Sequence, residues 1–340
     1  MRNLLPLLLA SAATLAAHAP AAADAPRVVT SIKPIHSLVA AVMEGVGEPA
    51  LIVPGAASPH TYSMKPSDAA NLQAADVVFW IGDGLEAFLV KPIGSLAGEA
   101  KAVELIDAPG LETLPVRDGG AFEAHDHEGD DHDGHEQEGD EHQGHEHEEA
   151  GHEGHDHAPA GEEAHDHSGI DMHAWLDPLN AGAMVRHIAT TLSEADPDNA
   201  ERYTQNADRL EERLETLVAK TREQLADVRD KPFIVFHDAY QYFEHRFDMA
   251  AAGSITISPD RMPGVQRIAE IQETVRRTGA TCVFAEPQFE PQLVDVAIEG
   301  SEARAGVLDP EGVAIPEGPE LYFTLISDLS QSLQDCLSSK

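Results

Sequence analysis

The chain predicts an α/β fold class: two lobes, each a parallel sheet covered by helices, joined by a long helix with a cleft between them. Three observations carry this expectation. Short apolar runs alternate with helical periodicity from residue 27 to 105, the same alternation returns from 232 to 337, and an amphipathic helical pattern separates the two. Parallel strands need crossover segments of a dozen or more residues, and helices supply them.

In the first half, Arg27–Ser31, Ala50–Val53, Asp76–Ile81 and Ala102–Leu105 are apolar runs that predict buried strands. Between them Ile35–Met43, Ser67–Ala75 and Leu85–Val90 predict helices, the second entered through Pro66-Ser67-Asp68 with N-cap chemistry. After Asp177-Pro178 the pattern is helical for about fifty residues, with a break at Asp196-Pro197. Tyr203, Leu210, Leu214, Leu217 and Leu225 then lie on one face of a helix over 197–228, either a plain surface helix or a stiff connector. The second half predicts strands at Pro232–Phe236, Thr281–Ala285 and Ala305–Leu308, with a further candidate at Ser254–Ile257. Its helices are expected at Val265–Thr278, Gln292–Glu299 and Leu321–Leu337. The expected organisation is a segment 1–23 ahead of the fold, an N-terminal lobe at 24–178, a helical linker at 179–229 and a C-terminal lobe at 230–340.

Residues 1–23 combine Arg2, an apolar run from Leu4 to Ala17 and small residues at 21–23. That is the pattern of a cleavable secretory signal peptide, and its apolar core is short for a spanning helix. A periplasmic or secreted location follows as the expectation. Cys282 and Cys336 are the only cysteines. In an exported chain an even count points to a disulfide, here stapling the C-terminal helix to a core strand; two buried thiols are the alternative. A formal net charge of -38 disfavours nucleic acid and anionic membrane surfaces as partners and favours cations.

Between Ala121 and Ser168 the chain carries histidines at His125, His127, His132, His135, His142, His145, His147, His152, His155, His157, His165 and His167, interleaved with Asp, Glu and Gly and without Lys or Arg. Imidazole and carboxylate at this density bind divalent cations weakly and repeatedly. Few apolar side chains offset the entropy of ordering, so the stretch is expected to be disordered, an accessory cation collector inserted in the first lobe.

Isolated histidines follow the strands. Leu51-Ile52-Val53 leads to Ser58-Pro59-His60, Phe233-Ile234-Val235-Phe236 ends at His237-Asp238, and Gly306-Val307-Leu308 ends at Asp309-Pro310. His173 sits in Asp171-Met172-His173-Ala174-Trp175-Leu176-Asp177-Pro178. Polar groups at the carboxyl ends of strands in two lobes can converge on one cleft. Three imidazoles and a carboxylate would make a first-row metal site, and four N/O donors suit zinc. Asp309 could equally start a turn, and Glu286 could equally bridge the lobes by a hydrogen bond. His36, His187 and His245 are placed among ordinary helix or surface histidines.

The segments Ala57-Ser58-Pro59-His60-Thr61-Tyr62-Ser63-Met64-Lys65-Pro66, Met172–Pro178, Val235-Phe236-His237-Asp238-Ala239-Tyr240 and Phe284-Ala285-Glu286-Pro287-Gln288-Phe289 closely resemble the zinc-binding subunit of bacterial zinc ABC importers. That subunit belongs to the metal-specific periplasmic solute-binding proteins. The resemblance implies two Rossmann-like lobes on a rigid helix, Zn2+ as transported ligand at His60, His173 and His237, and a disulfide between Cys282 and Cys336. It implies as partners an inner-membrane permease with its ATPase, for a monomeric carrier that is not an enzyme. Pro59 stands where some relatives place a ligand glutamate, so the fourth ligand is either Asp309 or a water. His237 stands where manganese carriers place a carboxylate, which favours zinc. Two other classes compete: a secreted zinc hydrolase, disfavoured because no His-Glu-x-x-His or Gly-x-Ser-x-Gly occurs, and a periplasmic zinc buffer or metallochaperone in which the histidine-rich stretch is the working part.

Overall fold

The computed structural model describes residues 25–117, 121–122, 167, 169–256, 263–289 and 292–338. Segment 1–23, eleven of the twelve histidines in the rich stretch and Ile257 lie outside the described residues. The first half contains β1 (Val28–Thr30), α1 (Lys33–Val42), β2 (Ala50–Leu51), α2 (Pro66–Ala74), β3 (Val77–Trp80), α3 (Ala87–Leu96) and β4 (Lys101–Glu104). Next come α4 (Pro178–Ala195) and α5 (Ala200–Leu225). The second half follows with β5 (Phe233–His237), α6 (Gln241–Phe247), β6 (Ala251–Thr256), α7 (Val265–Thr278), β7 (Cys282–Ala285), α8 (Gln292–Ile298), β8 (Arg304–Val307) and α9 (Leu321–Ser338).

Each half builds a four-stranded sheet, in the orders β2-β1-β3-β4 and β6-β5-β7-β8, and every pairing in them is parallel. The expected α/β class is therefore the observed one. In both sheets the order reverses beside the first strand of the half, so the switch points lie between β1 and β3 and between β5 and β7. Parallel α/β sheets place ligands outside the carboxyl ends of strands at such points.

Alternation along the strands decides which face meets which core. Phe233, Val235, Cys282 and Phe284 join the large apolar core, whereas Ile234, Phe236, Val283 and Ala285 join a second cluster with Ile271, Val275 and Val294 of α7 and α8. The period of two thus gives β5 and β7 two different partners. Gly306 in β8 permits this packing, because a Cβ there would lie 2.5 Å from the Phe284 ring.

Helix α5 spans roughly 39 Å at 1.5 Å per residue. Its buried Tyr203, Asn206, Ala207, Leu210, Leu214, Leu217, Thr221 and Leu225 recur every three or four positions, and α1, α4 and α9 pack along it. It is the spine linking the lobes, as the sequence allowed. The break before it is organised by Asp196, which accepts from Asn199 and from the Tyr203 hydroxyl.

The halves are clamped by hydrogen bonds that pattern reading does not expose. Buried Lys33 of α1 donates to the carbonyls of Gly312 (2.6 Å), Val313 (3.1 Å) and Ile315 (2.7 Å). Trp175 donates through Nε1 to Pro310, and Tyr322 of α9 donates to the Trp175 carbonyl. Helix α6, which no periodic run announced, carries three more ties. Tyr242 donates to the Asp171 carbonyl and accepts from Leu114, Glu244 pairs with Arg117, and Arg246 forks onto Asp177. Arg117 also pairs with Asp238.

Cys282 of β7 and Cys336 of α9 form a disulfide across 54 positions of sequence. Closing a loop of that length restricts the unfolded chain, so Cys336→Ser is expected to lower stability by about 2–4 kcal/mol. Urea unfolding with and without reductant checks this; an unchanged midpoint on reduction would contradict it.

Candidate metal centre

His60 lies on the loop after β2, His173 follows the link from the first sheet toward α4, and His237 is the last residue of β5. Their ring centroids are 5.5, 5.8 and 5.3 Å apart for the pairs 60–173, 60–237 and 173–237. One nitrogen from each comes within 4.8 Å of the others. His173 and His237 approach most closely, with Nε2 to Nε2 at 3.4 Å.

Carboxylates fix two of these rings from behind. Asp171 Oδ1 lies 2.7 Å from His173 Nδ1 and also accepts the His173 amide at 3.0 Å. Glu286 Oε1 lies 2.6 Å from His237 Nδ1. A carboxylate only accepts, so Nδ1 is the protonated nitrogen in both rings and each Nε2 lone pair faces the shared space. Two nitrogens each 2.0–2.1 Å from one tetrahedral ion would be about 3.3 Å apart, which matches the Nε2 separation. Imidazole backed by carboxylate is the usual metal-binding arrangement.

Glu286 directly follows β7, the strand beside β5, so His237 and its partner flank the switch point of the second sheet. The space is lined by Ser58, Pro59, Gln288, Phe289, Pro310 and Glu311 besides these groups, and holds only about 10 Å³. That volume suits one ion or one water, whereas organic ligands occupy pockets of roughly 300 Å³ or more.

The electrostatics separate His60 from His237. Burial, and then the neighbouring His173 and His237, hold His60 well below the usual imidazole range. Burial also opposes a proton on His237, but Glu286 outweighs it and raises that group. Glu311 is buried beside Asp309, Glu86 and Glu286, and its carboxyl lies well above the usual carboxylate range.

Asp309, expected as a possible fourth donor, is placed differently. Its two oxygens accept backbone N–H groups from Glu311 (3.1 Å), Gly312 (2.9 Å) and Val313 (2.6 Å), and it does not line the space between the rings. It organises the turn after β8, the other role its Asp-Pro context allowed. Asp171 was not singled out as a partner, although its position two residues before His173 was the available signal. His167 lies outside this cluster, against the first sheet, while His125 to His165 lie outside the described residues. His36 is buried with Nε2 3.1 Å from the Pro49 carbonyl, the ordinary role expected of it.

Two parallel-sheet lobes on a helical spine, with an imidazole-lined space for one ion between them, define the class of two-lobed solute-binding proteins. The family model described as zinc-uptake complex component A, periplasmic (ZnuA), matches residues 28–336, and the chain belongs to this family. The chain is 55% identical over 339 residues to the high-affinity zinc uptake system protein ZnuA of Brucella suis, covering 99% of this chain and 100% of that one. It is 43% identical over 334 residues to the protein of that name from Paracoccus denitrificans, covering 98% of each. A crystal structure of ZnuA superposes with a TM-score of 0.70 at 21% identity, covering 92% of this chain and 100% of that one, a likeness of fold.

As pH falls, a raised imidazole takes its proton before a lowered one. In the metal-free protein His237 should therefore protonate before His60, which takes its proton well below the ordinary value of about 6.5. Nitrogen-detected imidazole NMR over a pH series checks the order, and His60 titrating at or above that of an exposed histidine would contradict it.

Proposed function

We propose that this chain is the periplasmic zinc-binding component of a high-affinity uptake system. It captures Zn2+ as cargo at His60, His173 and His237 and delivers it to an ABC-type permease of the inner membrane, powered by its ATPase. The carrying observation is the convergence of three imidazoles on a space of single-ion size, two of them oriented by carboxylates. Membership in the zinc-uptake family and relatives named for zinc uptake agree with this reading. Three nitrogen donors favour zinc over the harder manganese. With Asp309 engaged by its turn, the fourth position goes to a water.

The chain acts as a carrier, not an enzyme, and works as an exported monomer released from its signal peptide after Ala23. Its domain plan is the N-terminal lobe, the helical linker and the C-terminal lobe, with Leu114, Arg117 and Ala121 each bonding to the second half. The histidine-rich stretch is an accessory that raises local zinc concentration beside the cleft. The clamps at Lys33, Arg117 and Arg246 oppose a wide hinge motion. Exchange of the ion therefore runs through the loop that carries His60, the one ring of the three without a carboxylate behind it among the described residues.

A zinc titration of wild type, His237→Ala and a chain lacking residues 123–164 tests the reading. The tight site should survive the deletion and vanish in His237→Ala. A tight site that persists in His237→Ala overturns the cleft assignment, while loss of tight binding on deletion favours a zinc buffer. Because the donors must be neutral, zinc affinity should fall at least about tenfold between about pH 7.5 and about pH 5.5. Glu286→Gln removes the charge that orients and strengthens His237, and should weaken zinc binding about 10–100-fold with the fold intact. Calorimetric titration against a competing chelator reads both effects; unchanged affinity in Glu286→Gln would show that the carboxylate only packs.

A further inference from the structure

We infer that the N-terminal lobe carries a second, weaker divalent-cation site, formed by Asp83, Glu104 and His167 and oriented by Asp107. His167 is the last histidine of the rich stretch and the one of its histidines whose placement is described. Its side chain is nine-tenths buried, with Nδ1 3.4 Å from Asp83 Oδ1 and 3.6 Å from Glu104 Oε2. On the other side of the ring Nε2 lies 3.0 Å from Asp107 Oδ1. The donor atoms of Asp83, Glu104 and His167 lie within 4.8 Å of one another.

The two sides of the ring differ in a way that discriminates between an ion pair and a metal site. A charged hydrogen bond from imidazolium to carboxylate closes to about 2.7–2.9 Å, and the Asp107 contact approaches that. The distances to Asp83 and Glu104 are longer; that to Asp83 matches, and that to Glu104 lies about 0.1 Å beyond, the separation of about 3.3–3.5 Å between two donors bonded to one ion at 2.0–2.2 Å. The arrangement is that of the cleft histidines: one ring nitrogen donates to a carboxylate, and the other faces a shared point. His173 and His237 show the same 3.4 Å separation across theirs.

The fold builds this place. Asp83 lies just beyond β3, Glu104 ends β4, and Asp107 follows in the next turn, so three carboxylates project from the carboxyl ends of adjacent parallel strands. Gly82 lets Glu104 approach, because at its φ of +152° a Cβ would stand 3.2 Å from Glu104 Oε2 and 3.0 Å from Met172 Cε. Met172 in turn adjoins His173. One imidazole and two carboxylates carry a charge that a divalent ion neutralises, and they are harder donors than three imidazoles. Zinc would therefore bind here more weakly than in the cleft. Its position six residues before His173 makes it a staging point for cargo, a role that rests on the reading given under Proposed function; the site itself does not.

Zinc-edge anomalous diffraction from crystals of the full mature chain grown with zinc should show an ion among Asp83, Glu104 and His167. A peak in the cleft with none here overturns the proposal. Equilibrium dialysis against zinc should give one bound ion fewer for Asp83→Asn/Glu104→Gln than for wild type, with the tight ion retained as evidence of intact folding. An unchanged count overturns the second site. His237→Ala should show the converse loss, so a failure of the cleft reading is separately visible.

Discussion

Two buried contacts between carboxylate and imidazole, Asp171 with His173 and Glu286 with His237, set the terms for the rest of the molecule. Each forces a ring nitrogen to keep its proton on the outer side, and each therefore aims a lone pair inward. Lone pairs converging from two lobes repel each other and are poorly solvated in a space this small. That arrangement is held only where the surrounding fold is more rigid than the repulsion is strong. The spine of α5, the buried Lys33 clamp and the Arg246–Asp177 fork provide that rigidity. The geometry is prepaid by folding, so an arriving ion meets donors already in place.

The same contacts explain why the lobes meet so tightly just behind the site. Asp177 begins α4 four residues after His173, and Arg246 reaches it from α6. Asp238 follows His237 directly and holds Arg117 with Glu244. Both ligand-bearing segments are thus anchored within a few residues of their histidine by an ion pair from the opposite half. Removing one partner of such a pair strands a buried charge, which costs more than the pair contributes. The interface is consequently specific in register, and a hinge at this point would break several charge pairs at once.

Much of this was legible in the sequence, and the boundary of legibility is physical. Seven of the eight strands described, with β6 as a further candidate, and the helices α1 to α5 and α7 to α9 were announced by apolar period, proline breaks and caps, because burial of one face dictates those patterns. Helix α6 was not, since the buried side chains of its seven residues are Tyr242, Phe243, Glu244 and Phe247, a set that puts a charged group among aromatics and shows no apolar period. The three histidines could be proposed from their places after strands and from the family resemblance of their surroundings. Their partners divide differently. Glu286 had the right location but two plausible roles, and Asp309 had the right chemistry but spends both oxygens on a turn. Sequence separation hides which carboxylate faces an imidazole and which faces the backbone, because that depends on the path of three or four residues after a strand.

Donor chemistry orders the proposed cation-binding features along the chain. The acidic, histidine-rich stretch offers many exchangeable donors, the cluster at Asp83, Glu104 and His167 offers one imidazole among carboxylates, and the cleft offers three imidazoles. Softness toward zinc increases along that series as the share of carboxylate donors falls. A cation drawn in by long-range charge would thus pass from abundant weak donors to scarce strong ones, losing mobility at each step. The chain supplies the continuity: Ala121, where the stretch begins, bonds to Ser254 and Arg267 of the second half, while His167, where it ends, packs on the first. These two described residues bond to opposite lobes, so in the proposed role any ion gathered between them would be kept near the cleft. Confinement raises encounter frequency without altering affinity, and leaves selectivity to the oriented histidines.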